Sequence, residues 1–117
     1  MIGSCVRGMV VDVNLDPVQG HEQGKRRPCV VIQNDIGNTY STITIVAAIT
    51  DASHVHRLSK IHVGIKAGVG GLKKDSVVLC DQIRAVDLRR LRTVHGKLPD
   101  PVMKMVDQAL KVSLSLE

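Results

Sequence analysis

Cys29-Val30-Val31-Ile32, Asn34-Asp35-Ile36-Gly37-Asn38-Thr39-Tyr40-Ser41 and Thr42-Ile43-Thr44-Ile45-Val46-Ala47-Ala48-Ile49-Thr50 stand almost end to end in the chain. The first and third are apolar and rich in β-branched residues, the composition of central strands. The second is polar turn chemistry, too short for a crossover, so the strands are expected to pair as antiparallel neighbours. Folding about a midpoint between Asn38 and Thr39 sets Arg27 opposite Thr50. Opposed residues share a face, so a guanidinium and a hydroxyl would converge at the sheet rim.

Working outward, Met9, Val11, Val13 and Leu15 alternate with Val10, Asp12 and Asn14, which predicts a half-buried strand over 8–15, ended by Pro17. Residues 16–27 are polar and glycine-containing, an exposed, mobile loop. Residues 51–60 are polar, and Ile61, Val63 and Ile65 alternate as a further strand. Gly64, Gly68, Gly70 and Gly71 read as turns, because Val69 and Lys73 break the spacings of phosphate-binding glycine loops. Along 75–84, Val77, Leu79 and Ile83 share a face that Asp81 interrupts, either at a sheet rim or as a carboxylate aimed into a site. Asp87 caps one short turn, Leu88 to Leu91. Asp100-Pro101 then predicts the cap and first position of an amphipathic helix over 101–116, carrying Val102, Met105, Val106, Ala109 and Leu110. Its methionines read as core filler. The expected fold is mainly β: a barrel-like antiparallel sheet of five or six short strands closed by one C-terminal helix.

The chain has 117 residues and suits one domain spanning 1–117 with a single core. Its longest apolar run, Ile45 to Ile49, is far short of a membrane span, and its start lacks a signal-peptide pattern, so a cytoplasmic location is expected. Cys5, Cys29 and Cys80 form an odd set without close pairs, expected as buried thiols in a reducing compartment. No Cys/His arrangement has structural-zinc spacing, and neither metal nor cofactor is expected. With 16 Lys+Arg against 11 Asp+Glu the net charge is +5. The clusters Lys25-Arg26-Arg27, Lys73-Lys74, Arg84 and Arg89-Arg90-x-Arg92 make nucleic acid the leading polyanionic partner.

Arg and Thr together suggest a phosphate site. An arginine fork matches phosphate oxygens bidentately and stays protonated, and a threonine hydroxyl adds one bond to the same group. RNA carries its own nucleophile, the 2′-OH, so scission requires its deprotonation, stabilisation of the phosphorane and protonation of the leaving 5′-oxygen. Arginine is a poor acid and no histidine is placed in the site by spacing, leaving His21, Glu22 or Asp81 for the proton transfers.

Arg7-Gly8, then Asn14-Leu15-Asp16-Pro17-Val18-x-Gly20-His21-Glu22-Gln23-Gly24-x-x-Arg27-Pro28, closely resembles the opening of the MazF/PemK toxin endoribonucleases. Val31-Ile32-Gln33-Asn34-Asp35-Ile36-Gly37-Asn38, Ile45-Val46-Ala47-Ala48-Ile49-Thr50 and Lys74-Asp75-Ser76-Val77-Val78-Leu79-Cys80-Asp81-Gln82-Ile83-Arg84 are most similar to the EndoA-type branch from Gram-positive bacteria. The resemblance covers nearly the whole chain. It implies an SH3-like barrel of the CcdB/PemK type and a homodimeric toxin of a type II toxin-antitoxin system. The activity it implies is sequence-specific, metal-independent cleavage of single-stranded RNA to 2′,3′-cyclic phosphate and 5′-OH ends. It further implies a cognate antitoxin whose disordered acidic segment blocks the RNA groove.

Carried over by position, the resemblance makes Arg27 and Thr50 catalytic and gives substrate binding to His21, Glu22, Gln23, Lys25, Asn34, Asp81, Gln82 and Arg84. A PemK-like scheme also uses an arginine two residues before the aspartate, but Leu79 stands there, so the Arg/Thr scheme is preferred. The family's usual first-strand aromatics are replaced by Met9 followed by Val10-Val11-Asp12, leaving RNA binding to phosphate contacts and loop hydrogen bonds. Two other readings share this fold. A catalytically silent RNA-binding homologue would lack a reason to keep both Arg27 and Thr50, and a gyrase-directed toxin would need a C-terminal tryptophan that the chain does not have.

Overall fold

The computed structural model describes residues 3–116. Among them six strands, β1 (Met9–Asn14), β2 (Arg26–Val31), β3 (Ile43–Asp51), β4 (His62–Ile65), β5 (Ser76–Asp87) and β6 (Leu91–Lys97), form one antiparallel sheet in the order β4-β5-β3-β2-β1-β6. Helix α1 (Asp35–Tyr40) joins β2 to β3, and α2 (Asp100–Ser113) ends the fold. This is the expected mainly β architecture with a C-terminal helix. Because β4 and β6 are each edge strands, the hydrogen-bonded ring of a closed barrel is not completed among the described residues.

β2 and β3 pair Cys29 with Ala48, Val30 with Ala47 and Val31 with Val46, the register required by a midpoint between Asn38 and Thr39. The connection differs from expectation: 34–41 folds as a helical turn. The Asn34 side chain accepts from Gly37 N at 2.8 Å. Buried Asn38 bonds the Gln33 carbonyl and the Asp35 carboxylate through Nδ2, and accepts the Thr44 hydroxyl at 2.7 Å. Short polar side chains that favour turns also cap helices. Arg26 and Arg27, expected in the preceding loop, belong to β2, because β1 continues the ladder through Val13↔Arg27 and Asn14↔Arg26.

β6 carries no readable pattern, since Arg92-Thr93-Val94-His95 are all exposed on a strand paired on one side only. α2 starts one residue earlier than predicted. Pro99 takes the cap position with no side-chain bond, while Asp100 and Pro101 lie in the first turn.

The sheet is buried on both faces. Val10, Val30, Ala47, Ile49, Val63 and Val78 lie beneath Met103, Val106 and Ala109 of α2. Val11, Val13, Cys29, Val31, Val46 and Ala48 form a second cluster with Cys5, Leu15, Val86 and Leu91. The alternation follows the strand period. Arg7 fastens the layers: its N–H donates to Asp35 Oδ1 at 2.7 Å, its Nε to the Ile32 carbonyl at 2.9 Å, and its guanidinium pairs with Asp107 of α2. No helix among the described residues is long and apolar enough to cross a membrane.

β5 resolves the interruption at Asp81. Ala48 pairs with Leu79, but the next residue back, Ala47, pairs with Ile83, so Cys80, Asp81 and Gln82 bulge out of the ladder. An odd number of extra residues inverts the parity of everything that follows. Val77 faces with Thr50 before the bulge, and Arg84 with Val46 after it, on one side of the sheet.

Candidate active site

The β2–β3 ladder ends at Cys29↔Ala48; Arg27 and Thr50 lie two residues further along their strands, at the sheet rim and on the face of the second cluster, since Arg27 is paired with buried Val13 and Thr50 alternates in phase with Ala48. Arg27 Nε donates to the Gly24 carbonyl at 3.1 Å, while its terminal nitrogens have no protein partner among the described residues. Thr50 is 4% exposed, and its Oγ1 lies 3.2 Å from Nδ1 of His54. Sequence reasoning passed over His54. The signal was present four residues after Thr50, where Asp51 caps the 3-10 turn Ala52–His54 by accepting from Ser53 N at 2.9 Å. That bond holds the Asp51 carboxyl below the usual range.

The loop between β1 and β2 overhangs this face. Arg84 Nη1 donates to the Leu15 carbonyl at 2.6 Å, and Arg90 Nη1 reaches the carbonyls of Asn14 and Asp16 at 3.1 and 2.7 Å. Gln23 N donates to Gln82 Oε1 at 3.3 Å, and Lys25 N to Asp16 Oδ1 at 2.7 Å. Lys25 itself takes φ +61°, a left-handed conformation uncommon outside glycine. Under the loop lies a cavity of about 490 Å3 whose walls include Glu22, Gln23, Asp81, Gln82 and Arg84. The bulge is what presents Asp81 and Gln82 here.

A second cavity, about 350 Å3, opens at the same rim and takes its walls from Asp12, Arg27, Thr50, Lys73, Lys74 and His95. His95 Nε2 sits 2.7 Å from Asp12 Oδ1, and Lys74 Nζ lies 3.7 Å from Asp51 Oδ2. The sequence-derived residues therefore divide: Arg27 and Thr50 line this cavity, and Glu22, Gln23, Asp81, Gln82 and Arg84 the other. They meet along β3, where Ala48 lines the first and Ile49 to Asp51 the second.

Three assigned residues join neither cavity. His21 and Lys25 are exposed on the loop, and the side chain of Asn34 is engaged as the α1 cap. Asp81 has an unforeseen neighbour in His62, whose Nε2 lies 3.9 Å from Oδ1. Of the basic clusters, Arg84 and Arg90 brace the loop, Arg89 pairs with Asp87, and Arg26 with Asp12. Lys73 and Arg27 remain for an anionic ligand, with Lys74 at the rim shared with Asp51. The cysteines are free and buried, and burial pushes the Cys29 thiol up to about 12 and Cys80 to about 11.

Residues 6–114 match the family described as PemK-like, MazF-like toxin of type II toxin-antitoxin system. The chain is 48% identical over 110 residues to endoribonuclease EndoA of Bacillus subtilis (strain 168), covering 94% of each protein. Its fold overlays the crystal structure of MazF from Deinococcus radiodurans with a TM-score of 0.80 at 27% identity, over 97% of this chain and 99% of that one. A MazE-MazF crystal structure from the same organism matches with a TM-score of 0.75 at 26% identity, over 99% and 100% of the two chains. A match across nearly the whole chain, on the same sheet and helix, makes the protein a member of the PemK-like, MazF-like toxins of type II toxin-antitoxin systems.

Proposed function

We propose that this toxin is an endoribonuclease that cuts single-stranded RNA at short sequence motifs without a metal, leaving 2′,3′-cyclic phosphate and 5′-OH ends. The observation that carries the reading is that Arg27 and Thr50, each two residues beyond the Cys29↔Ala48 pair, line one cavity with Lys73 and Lys74. It is supported by 48% identity to a protein named as an endoribonuclease. Arg27 binds the scissile phosphate and stabilises the phosphorane through its unpaired terminal nitrogens, and the Thr50 hydroxyl donates to a non-bridging oxygen. Gln23, Gln82, Glu22 and Asp81 line the neighbouring cavity, where bases splayed from the strand are read by hydrogen bonds.

The partners follow from the same surface. An acidic, disordered antitoxin segment fits the basic rim. The homodimer is supported by apolar residues left exposed on the C-terminal side, Val112, Leu114 and Leu116, beside a groove of about 630 Å3 that also takes in Ile32, Ile45 and Ile83.

The test is incubation of the purified toxin with a long single-stranded RNA in EDTA, alongside Arg27→Ala and Thr50→Ala, with the product ends mapped. Discrete cuts ending in cyclic phosphate, lost in both variants, are expected. Intact RNA that is nevertheless bound would favour a silent RNA-binding homologue.

A further inference from the structure

We propose that His54 is the general base of the cleavage, an inference that rests on the ribonuclease reading. Thr50 Oγ1 and His54 Nδ1 are 3.2 Å apart, the hydroxyl buried and the imidazole exposed at the rim. The turn that holds the ring is tied on both sides: Asp51 Oδ1 accepts from Ser53 N at 2.9 Å, and Ala52 N donates to the Asp75 carbonyl at 2.9 Å. With Nδ1–H donating to Thr50 Oγ1, the lone pair of Nε2 points outward and the Thr50 O–H is released toward a phosphate oxygen. In that tautomer, one hydrogen bond orients both the base and the phosphate donor.

The step balances without a co-reactant beyond water. The 2′-OH proton passes to His54 Nε2 as the 2′-oxygen bonds to phosphorus. The P–O5′ bond breaks, and solvent water protonates the departing 5′-oxygen. The imidazolium then returns its proton to solvent. Arg27, across the rim, holds the phosphorane charge throughout. The charged groups nearest His54 are Asp51, whose carboxylate shares the turn, and Lys74, 3.7 Å from Asp51; Arg27 lines the cavity that Thr50 and Asp51 border.

Single-turnover cleavage of a defined RNA is measured against pH for wild type, His54→Asn, His54→Ala with and without imidazole, and Arg27→Ala. Asparagine can donate to Thr50 but cannot take the proton. His54→Asn is expected to bind RNA as wild type does, to cleave at least ~100-fold more slowly, and to lose the acid limb of the profile. Imidazole is expected to restore part of the His54→Ala rate, which carries the test if the asparagine variant melts early. Wild-type rates in His54→Asn, or a slowed reaction that keeps the acid limb with no imidazole rescue, would overturn the role of His54 while leaving the ribonuclease reading intact. A wild-type protein that cuts no RNA would overturn both.

Discussion

Arg84 Nη1 on β5 donates a 2.6 Å hydrogen bond to the carbonyl oxygen of Leu15, joining residues 69 positions apart and tying the overhanging loop to the sheet. The bond is partly buried and charge-assisted, a class worth about 1.5–3 kcal/mol. Arg84→Met keeps the aliphatic stem and removes the bond. We expect a stability loss in that range by urea unfolding and faster tryptic cutting at Lys25 and Arg26.

RNA binding is expected to depend steeply on salt, because Tyr40 is the sole aromatic side chain in the sequence and stands 85% exposed on α1, outside both rim cavities. If Arg27, Lys73 and Lys74 supply about three phosphate contacts, log affinity should fall with log salt at a slope of about −2. Fluorescence anisotropy on Thr50→Ala, the variant expected not to cleave, measures it. An affinity that stays flat from low to moderate salt contradicts phosphate-led binding.

Gly71 holds the wall of the rim cavity against β6. Its φ is +78°, and a Cβ there would lie 2.0 Å from the His95 carbonyl oxygen. Gly71→Ala is expected to destabilise by about 2 kcal/mol or more, since left-handed strain and a backbone clash add. Gly68→Ala, with φ +93° but open space around it, should cost less in the same thermal melts.

Acid is expected to weaken the fold through three carboxylates, exposed Asp35 and half-buried Asp51 and Asp87. The Arg7 backbone N–H lowers Asp35, the Ser53 N–H lowers Asp51, and the Arg89 side chain lowers Asp87. Each folded pKa is depressed, so the stabilisation is present above the unfolded value of about 3.9 and is lost as pH falls through the folded one. Urea midpoints taken from pH 6 downward should decline below about pH 4. Asp35→Asn should flatten that decline.

The thiols should be inert in the native state. Burial raises Cys5, Cys29 and Cys80, and only thiolates attack disulfide reagents. Titration with an aromatic disulfide at pH 7 should be slow for the folded protein and complete for all three thiols in denaturant. A fast native thiol would show that one cysteine is reachable.

The sequence by itself determined the β2–β3 pair and its register, from Cys29↔Ala48 to Val31↔Val46. Apolar runs on either side of a short polar connection leave few alternatives, and a slip of one residue would send every side chain to the wrong face. It also carried the cap at Asp87, which accepts from Arg89 N at 2.8 Å. It could not show β6, whose exposed edge position puts no period into its residues, nor the helical form of 34–41, where Asn34 caps a helix with the same side chain that would make a turn. Most of all it could not show the three-residue bulge at Cys80-Asp81-Gln82. Strict alternation assigns Arg84 to the face opposite Val77. The bulge reverses that assignment, bringing Arg84 under the loop and Asp81 and Gln82 to the cavity. His54 depended on tertiary structure in the same way, because a ring four residues from Thr50 reaches its hydroxyl only when the chain turns at Asp51. Pairing registers follow from local pattern and turn length, whereas bulges and turns that redirect side chains are set by the neighbouring strands and loops that satisfy their backbone groups.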